Sequence, residues 1–159
     1  MYKRQVFLHL IAQAGLEDRF VVDSAGTGGW HVGNPADRRM RAAAERRGIH
    51  LPSRARQIEL AEFSNFDRIL TMDDDNLLAV RSLAGELGAR SDLALVEPMT
   101  SHCRRFGDKE VPDPYYGGEQ GFEHVLELIT DGMDIDAVIQ RLVDLFRERV
   151  PHDAWPDPN

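Results

Sequence analysis

The 159-residue chain holds a single cysteine, Cys103, so no internal disulfide can form and no Cys/His spacing suits a zinc site. Long apolar runs are equally scarce. The apolar stretch from Val6 to Ala12 is too short to span a bilayer, and no signal-peptide cleavage pattern follows it. Basic residues are outnumbered, with 19 Lys and Arg against 27 Asp and Glu, for a net charge of -8. A general nucleic-acid binder would need a basic face to displace counterions from phosphates. These scarcities predict a cytoplasmic protein with no membrane or nucleic-acid partner, no metal and no cofactor. With 42% hydrophobic and 29% charged residues, the composition suits one globular domain over residues 1–150 and a disordered tail over 151–159.

What the chain does have is unusual local chemistry between Val111 and Gly118. Pro112 and Pro114 each fix their own φ and bias the preceding residue toward extended geometry, so the Asp113 carboxylate rides on a stiff, non-helical segment. Tyr115 and Tyr116 follow, and then Gly117 and Gly118 release the backbone. Taken alone, the stretch has two readings. It is a poised acid beside an aromatic wall, or a proline-stiffened surface turn whose Asp bonds its own backbone.

The rest of the chain alternates between two periodicities. Val6 to Ala12 suits a buried helix face ending near Gly15, and Phe20-Val21-Val22 reads as a short buried strand. Asp23 to Trp30 forms a glycine-rich loop at the carboxyl end of that strand, where loops of parallel sheets face ligands. Gly26, Gly28 and Gly29 have the wrong spacing for a dinucleotide fingerprint. Asn34 as N-cap, Pro35 in the first turn and Gly48 at the end predict a helix over 35–47. Its arginines (Arg38, Arg39, Arg41, Arg46 and Arg47) read as a solvated basic face, with an anion site as the sharper alternative. A short helix over 59–65 and a second strand over 67–72 come next. Asp73 then caps a helix over 74–84, placing Asp73, Asp74 and Asp75 at its positive end. A metal site on these three is disfavoured, because adjacent helical residues point to different sides. A third strand covers 93–96. Helical periodicity returns over 122–130, breaks at Asp131-Gly132-Met133-Asp134 and resumes from Ile135 to about Arg149. Strands alternating with helices predict an α/β domain with a parallel sheet.

Four stretches stand in a telling order: Asp23-Ser24-Ala25-Gly26-Thr27, Ala55-Arg56-Gln57, Met72-Asp73 with Asn76-Leu77, and Val111-Pro112-Asp113-Pro114-Tyr115-Tyr116-Gly117. Together they resemble the low-molecular-weight protein tyrosine phosphatase family, over Val6 to about Leu128. The resemblance implies a flavodoxin-like parallel sheet flanked by helices and a cysteinyl-phosphate mechanism. In that mechanism a thiolate attacks phosphorus, a loop of backbone amides plus an arginine holds the phosphoryl oxygens, and the Asp of D-P-Y-Y protonates the leaving group. By the same resemblance Asp113 is the general acid and then the general base. Trp30, Tyr115 and Tyr116 line the substrate pocket, Ser24 supports the phosphate loop, and the substrate is a phosphotyrosine protein or a small aryl phosphate.

The family carries its nucleophile on an N-terminal strand-loop-helix unit with C-x5-R-S. The present sequence is expected to start after that unit, without nucleophile, arginine or the first, central strand. Cys103 makes a poor substitute: the residue six positions on is Lys109, and no helix follows to lend its positive end. Two other functions remain in view. One is a non-catalytic phosphotyrosine-binding or scaffold protein using Arg54 or Arg56. The other is an arsenate reductase, whose resolving thiols a single cysteine cannot provide.

Overall fold

A glycine closes each of the first two long helices in the same way. The computed structural model describes residues 2–113 and 118–132. Helix α1, Tyr2–Gln13, buries Val6 and Ile11. At its end Gly15 adopts φ +67, which puts the Leu16 N–H on the Ile11 carbonyl at 2.9 Å and the Gly15 N–H on Ala12 at 3.1 Å. Helix α2, Arg38–Glu45, ends on Gly48 at φ +73, with Ile49 bonded to Ala44 and Gly48 to Glu45, both at 2.9 Å. Both are the paired carbonyl caps that a left-handed residue makes available.

Helix α2 begins later than its sequence predicts. Asp37 is the N-cap, its carboxylate accepting from Arg39 at 2.8 Å and Met40 at 3.3 Å. Asn34 and Pro35 are taken up instead by the 54–55 segment. Ala55 donates to the Asn34 carbonyl at 2.9 Å, and Pro35 faces Arg54 in an antiparallel bridge. The backbone at 34 thus already has a partner, and the cap passes to the next competent side chain. The buried Met40, Ala43 and Ala44 form one stripe at helical spacing.

The predicted strand at Phe20-Val21-Val22 begins extended at Phe20 but pairs with no strand among the described residues. Val21 is 87% exposed, and the Val22 carbonyl takes a hydrogen bond from Arg4 Nε at 3.0 Å. β-branched residues favour extended backbone, but a ladder also needs a neighbour. The described sheet therefore has two parallel strands. They are β1, Arg68–Thr71, and β2, Leu95–Pro98, in the register Arg68 to Leu95 through Thr71 to Pro98. The short helix α3, Glu62–Asn65, precedes β1 and buries Phe63. After β1, Asp73 caps helix α4, Asp74–Gly85, accepting the Asn76 N–H at 2.6 Å.

A 3-10 turn, Met99–His102, leaves β2, and an irregular strap runs from Cys103 to Asp113. Helix α5, Gly118–Gly132, then packs against α1, α2 and the 3-10 turn. Its Val125, Leu126, Leu128 and Ile129 are fully buried with Val6, Met40 and Met99, each burial worth about 1.5–3 kcal/mol. Asp131 and Gly132, the first two residues of the expected break, are still helical, whereas Met133 and Asp134 lie outside the described residues. At Gly132 α5 approaches the 3-10 turn too closely for a Cβ. The basic face of α2 is also not wholly solvated. Arg47 grips Glu123 of α5 through Nε at 3.1 Å and Nη2 at 2.7 Å, and Arg46 adds a contact at 3.1 Å. The helix expected over 135–149 and the tail over 151–159 lie outside the described residues. Among the described residues, no helix is long and apolar enough to cross a membrane.

Candidate active site

The four motif stretches are joined in two pairs. The Asp23–Thr27 loop and the Ala55–Gln57 segment are stitched by backbone bonds. Gly26 donates to Arg56 at 2.8 Å, Ile58 donates to Gly26 at 2.9 Å, and the Gln57 side chain reaches the Thr27 carbonyl at 3.1 Å. Asp23 is the electrostatic centre of this pair. One of its oxygens accepts the Ser24 N–H at 2.8 Å, and the other meets the Arg56 guanidinium at 2.8 Å. Arg56 also pairs with Glu62, whose carboxylate is largely buried.

The second pair joins the end of β1 to the strap carrying Asp113. The Val111 N–H donates to the Met72 carbonyl at 2.7 Å, and the Glu110 carboxylate accepts the Asp74 N–H at 3.0 Å. Two successive strap residues thus grip the chain on either side of Asp73. Val111 is buried as well, so the clamp is backed by packing, and Asp113 stands exposed two residues beyond it. Further back, Thr100 Oγ1 donates to the Lys109 carbonyl at 2.8 Å. One oxygen of the buried Asp131 accepts three successive amides of the strap: Arg104 at 3.0 Å, Arg105 at 2.9 Å and Phe106 at 3.2 Å.

The first turn of α1 bridges both pairs. Arg4 faces Asp23 at 3.7 Å and Ser53 at 3.4 Å, and Gln5 donates to Ser53 Oγ at 2.6 Å. Lys3, one position earlier, lies within electrostatic reach of Asp73 and Asp113. Burial pushes its ammonium down to about 8, against the upward pull of those two carboxylates. An acid and a cation therefore lie within electrostatic reach of each other beyond the carboxyl end of β1, the usual side for ligands in parallel α/β sheets, and the next residue of α1, Arg4, faces the Asp23 loop.

The other residues singled out by sequence are placed as follows. Ser24 is half-buried in its loop. Trp30 is 90% exposed and lies over Gly28, where a Cβ would come 2.7 Å from its ring. Tyr115 and Tyr116 lie outside the described residues. Cys103 is half-buried on the strap, its Sγ 3.7 Å from the Leu128 carbonyl. Burial first, and then the negative charges of Asp131 and Asp108, push its thiol up to about 11. Arg54 donates to the Gly33 carbonyl at 2.8 Å, so both arginines considered for a phosphotyrosine-binding scaffold, Arg54 and Arg56, hold loops together. Sequence reasoning missed Asp23, Glu110 and Asp131 as anchors. The available signal was an acid beside each end of an irregular stretch, which only the fold connects to its amides.

Residues 3–142 match the family model for low molecular weight phosphotyrosine protein phosphatase. A low molecular weight protein-tyrosine-phosphatase of Streptomyces coelicolor is 41% identical over 147 residues, covering 91% of this chain and 84% of its own. Among solved structures, a protein tyrosine phosphatase of Entamoeba histolytica superposes with a TM-score of 0.79 at 33% identity, covering 90% of this chain and 88% of that one. The Drosophila arginine phosphatase gives 0.79 at 27% identity, covering 89% and 88%. The fold is thus the α/β fold of small phosphatases with a parallel sheet. The chain belongs to the low molecular weight phosphotyrosine protein phosphatase family.

Proposed function

We propose that this chain serves the hydrolysis of phosphotyrosine on proteins, with Asp113 as the general acid. The observation that carries the reading is the placement of Asp113, an exposed carboxyl group two residues past the Val111 clamp, at the carboxyl end of β1 and within reach of Lys3. When the ester P–O bond breaks, the leaving phenolate takes its proton from Asp113. The resulting carboxylate then draws a proton from the water that hydrolyses the phosphoryl intermediate. A carboxyl group held in place before substrate arrives contributes about 10²–10⁴-fold to such a step. In this reading Trp30, Tyr115 and Tyr116 line the aryl pocket, and Ser24 supports the loop facing the phosphoryl group.

The acid is one part of the machinery. No C-x5-R stretch occurs in the 159 residues, since Lys109 stands six positions after Cys103. The Cys103 thiol is held neutral at physiological pH, and Arg54 and Arg56 are engaged elsewhere. We therefore read turnover as requiring a thiolate and an arginine that these residues do not supply, so the 159-residue chain by itself leaves aryl phosphates intact. The same engaged arginines weigh against the alternative of a phosphotyrosine-binding scaffold built on Arg54 or Arg56.

The test compares the 159-residue chain with one carrying a family-type strand and C-x5-R-S loop joined ahead of Val6. The expected result is that only the joined protein hydrolyses p-nitrophenyl phosphate and a phosphotyrosine peptide. Asp113→Ala in it should lower kcat by about 10²–10⁴-fold, and its thermal midpoint should be higher than that of the 159-residue chain. Robust turnover by the 159-residue chain, or an Asp113→Ala protein as fast as its parent, overturns the reading. A phosphoarginine peptide as second substrate separates a tyrosine preference from the activity named for the Drosophila relative.

A further inference from the structure

We propose that Glu110 is a positioning residue for Asp113, fixing the acid by clamping the strap to the first turn of α4. The proposal rests on Asp113 being the acid. Its geometric basis is the two-point grip in which the Glu110 carboxylate takes the Asp74 N–H at 3.0 Å while the Val111 N–H takes the Met72 carbonyl at 2.7 Å. Either bond alone would let the strap pivot; the pair, on successive residues, fixes both its distance from β1 and its direction. The positive end of α4 strengthens the Glu110 bond, because an early-turn amide has no partner within its own helix.

The clamp acts over a short lever. Asp113 follows Val111 across one proline, which fixes φ at 112 and leaves little slack between clamp and carboxyl group. The anchors on Lys109 and on residues 104–106 lie further back along the strap. They shape its body, whereas Glu110 sets its exit. Glu110 is exposed, so its replacement removes the bond without opening the core.

The test uses the 159-residue chain labelled with ¹⁵N and ¹³C, as wild type, Glu110→Ala and Glu110→Gln. Three readouts are followed: hydrogen exchange of the Asp74 and Val111 amides, exchange of core amides in α2 and α5, and the Asp113 side-chain carboxyl resonance. In Glu110→Ala the Asp74 and Val111 amides should exchange about tenfold faster, with the core amides unchanged. The Asp113 resonance should move toward that of an unstructured peptide. Glu110→Gln keeps an acceptor oxygen and should restore both. The proposal is overturned if Glu110→Ala leaves Val111 protection and the Asp113 resonance as in wild type. It is also overturned if exchange accelerates equally in α2 and α5, or if Gln does not restore. No readout involves turnover, so a failed hydrolysis test and a failed Glu110 test are distinguishable.

Discussion

Gly132 of α5 lies directly against Met99 of the 3-10 turn: a Cβ at 132 would overlap Met99 Sδ and fall 2.9 Å from Cys103 Sγ. The helix backbone itself is the packing surface there, and both neighbours are held in the core cluster or against it. Gly132→Ala should therefore destabilise the chain despite the better helix propensity of alanine, by about 1–3 kcal/mol as overpacking does. Urea unfolding would show this as a lower midpoint at unchanged slope. An unchanged midpoint would mean that the helix and the turn can separate without cost.

That glycine also shows where sequence reasoning stops. In the sequence, Asp131-Gly132 looks like a helix break, since glycine weakens helices and Asp competes for backbone donors. At the two described residues of that stretch the backbone is still helical, with Gly132 allowing close approach to the 3-10 turn and Asp131 capping a segment 25 to 27 positions earlier in the chain. Features set by local rules were legible: the caps at Gly15, Gly48 and Asp73, the strand at β1 and the motif order. Those set by remote partners were not. Pro35 could not announce its bridge to Arg54, and Val21 could not announce that its backbone would have no ladder neighbour among the described residues. At the site, the Asp113 stretch stood out by composition alone, whereas Glu110 became visible only when α4 came to meet it.

Asp131 offers a second stability test. One of its carboxylate oxygens satisfies three strap amides, and the residue is 8% exposed. Asp131→Ala would leave those donors without that acceptor, which should cost about 2–4 kcal/mol. Asp131→Asn, with one carbonyl oxygen in reach, should lose less. Equal midpoints for wild type and Asp131→Ala in urea would show that solvent replaces the carboxylate freely.

Cys103 is predicted to be a slow thiol. With its pKa pushed from 9.0 to about 11, the thiolate fraction near pH 8 is about 100-fold lower than for an unperturbed cysteine. Iodoacetamide should therefore react far more slowly with the native chain than with the urea-unfolded one. The linkage has a definite sign. The raised value favours folding below pH 9, and that contribution disappears as pH rises toward 11. Cys103→Ser should abolish this alkaline loss. Rapid alkylation of the native chain at pH 8 would contradict the assigned environment.

Lys3 carries the opposite sign, and it reports on the site directly. Its value falls from 10.5 to about 8 because burial penalises the ammonium more than Asp73 and then Asp113 favour it. The folded chain thus releases this proton more readily than the unfolded one. The contribution is fully present above pH 10.5 and is lost as pH falls through about 8, so stability should rise between those values. Cys103 pulls the other way over part of that range, so the measurement belongs in a Cys103→Ser background, with Lys3→Met as the control in which the rise vanishes. The chain has only two lysines, Lys3 and Lys109, so ¹³C-dimethylation gives a readable NMR titration. Removing either carboxylate should lower the Lys3 midpoint further. Asp73→Asn should do so more than Asp113→Asn, while asparagine still caps α4. If Asp113→Asn leaves the Lys3 titration unmoved, Lys3 does not sense the acid, and the convergence of α1 with the Asp113 strap is wrong.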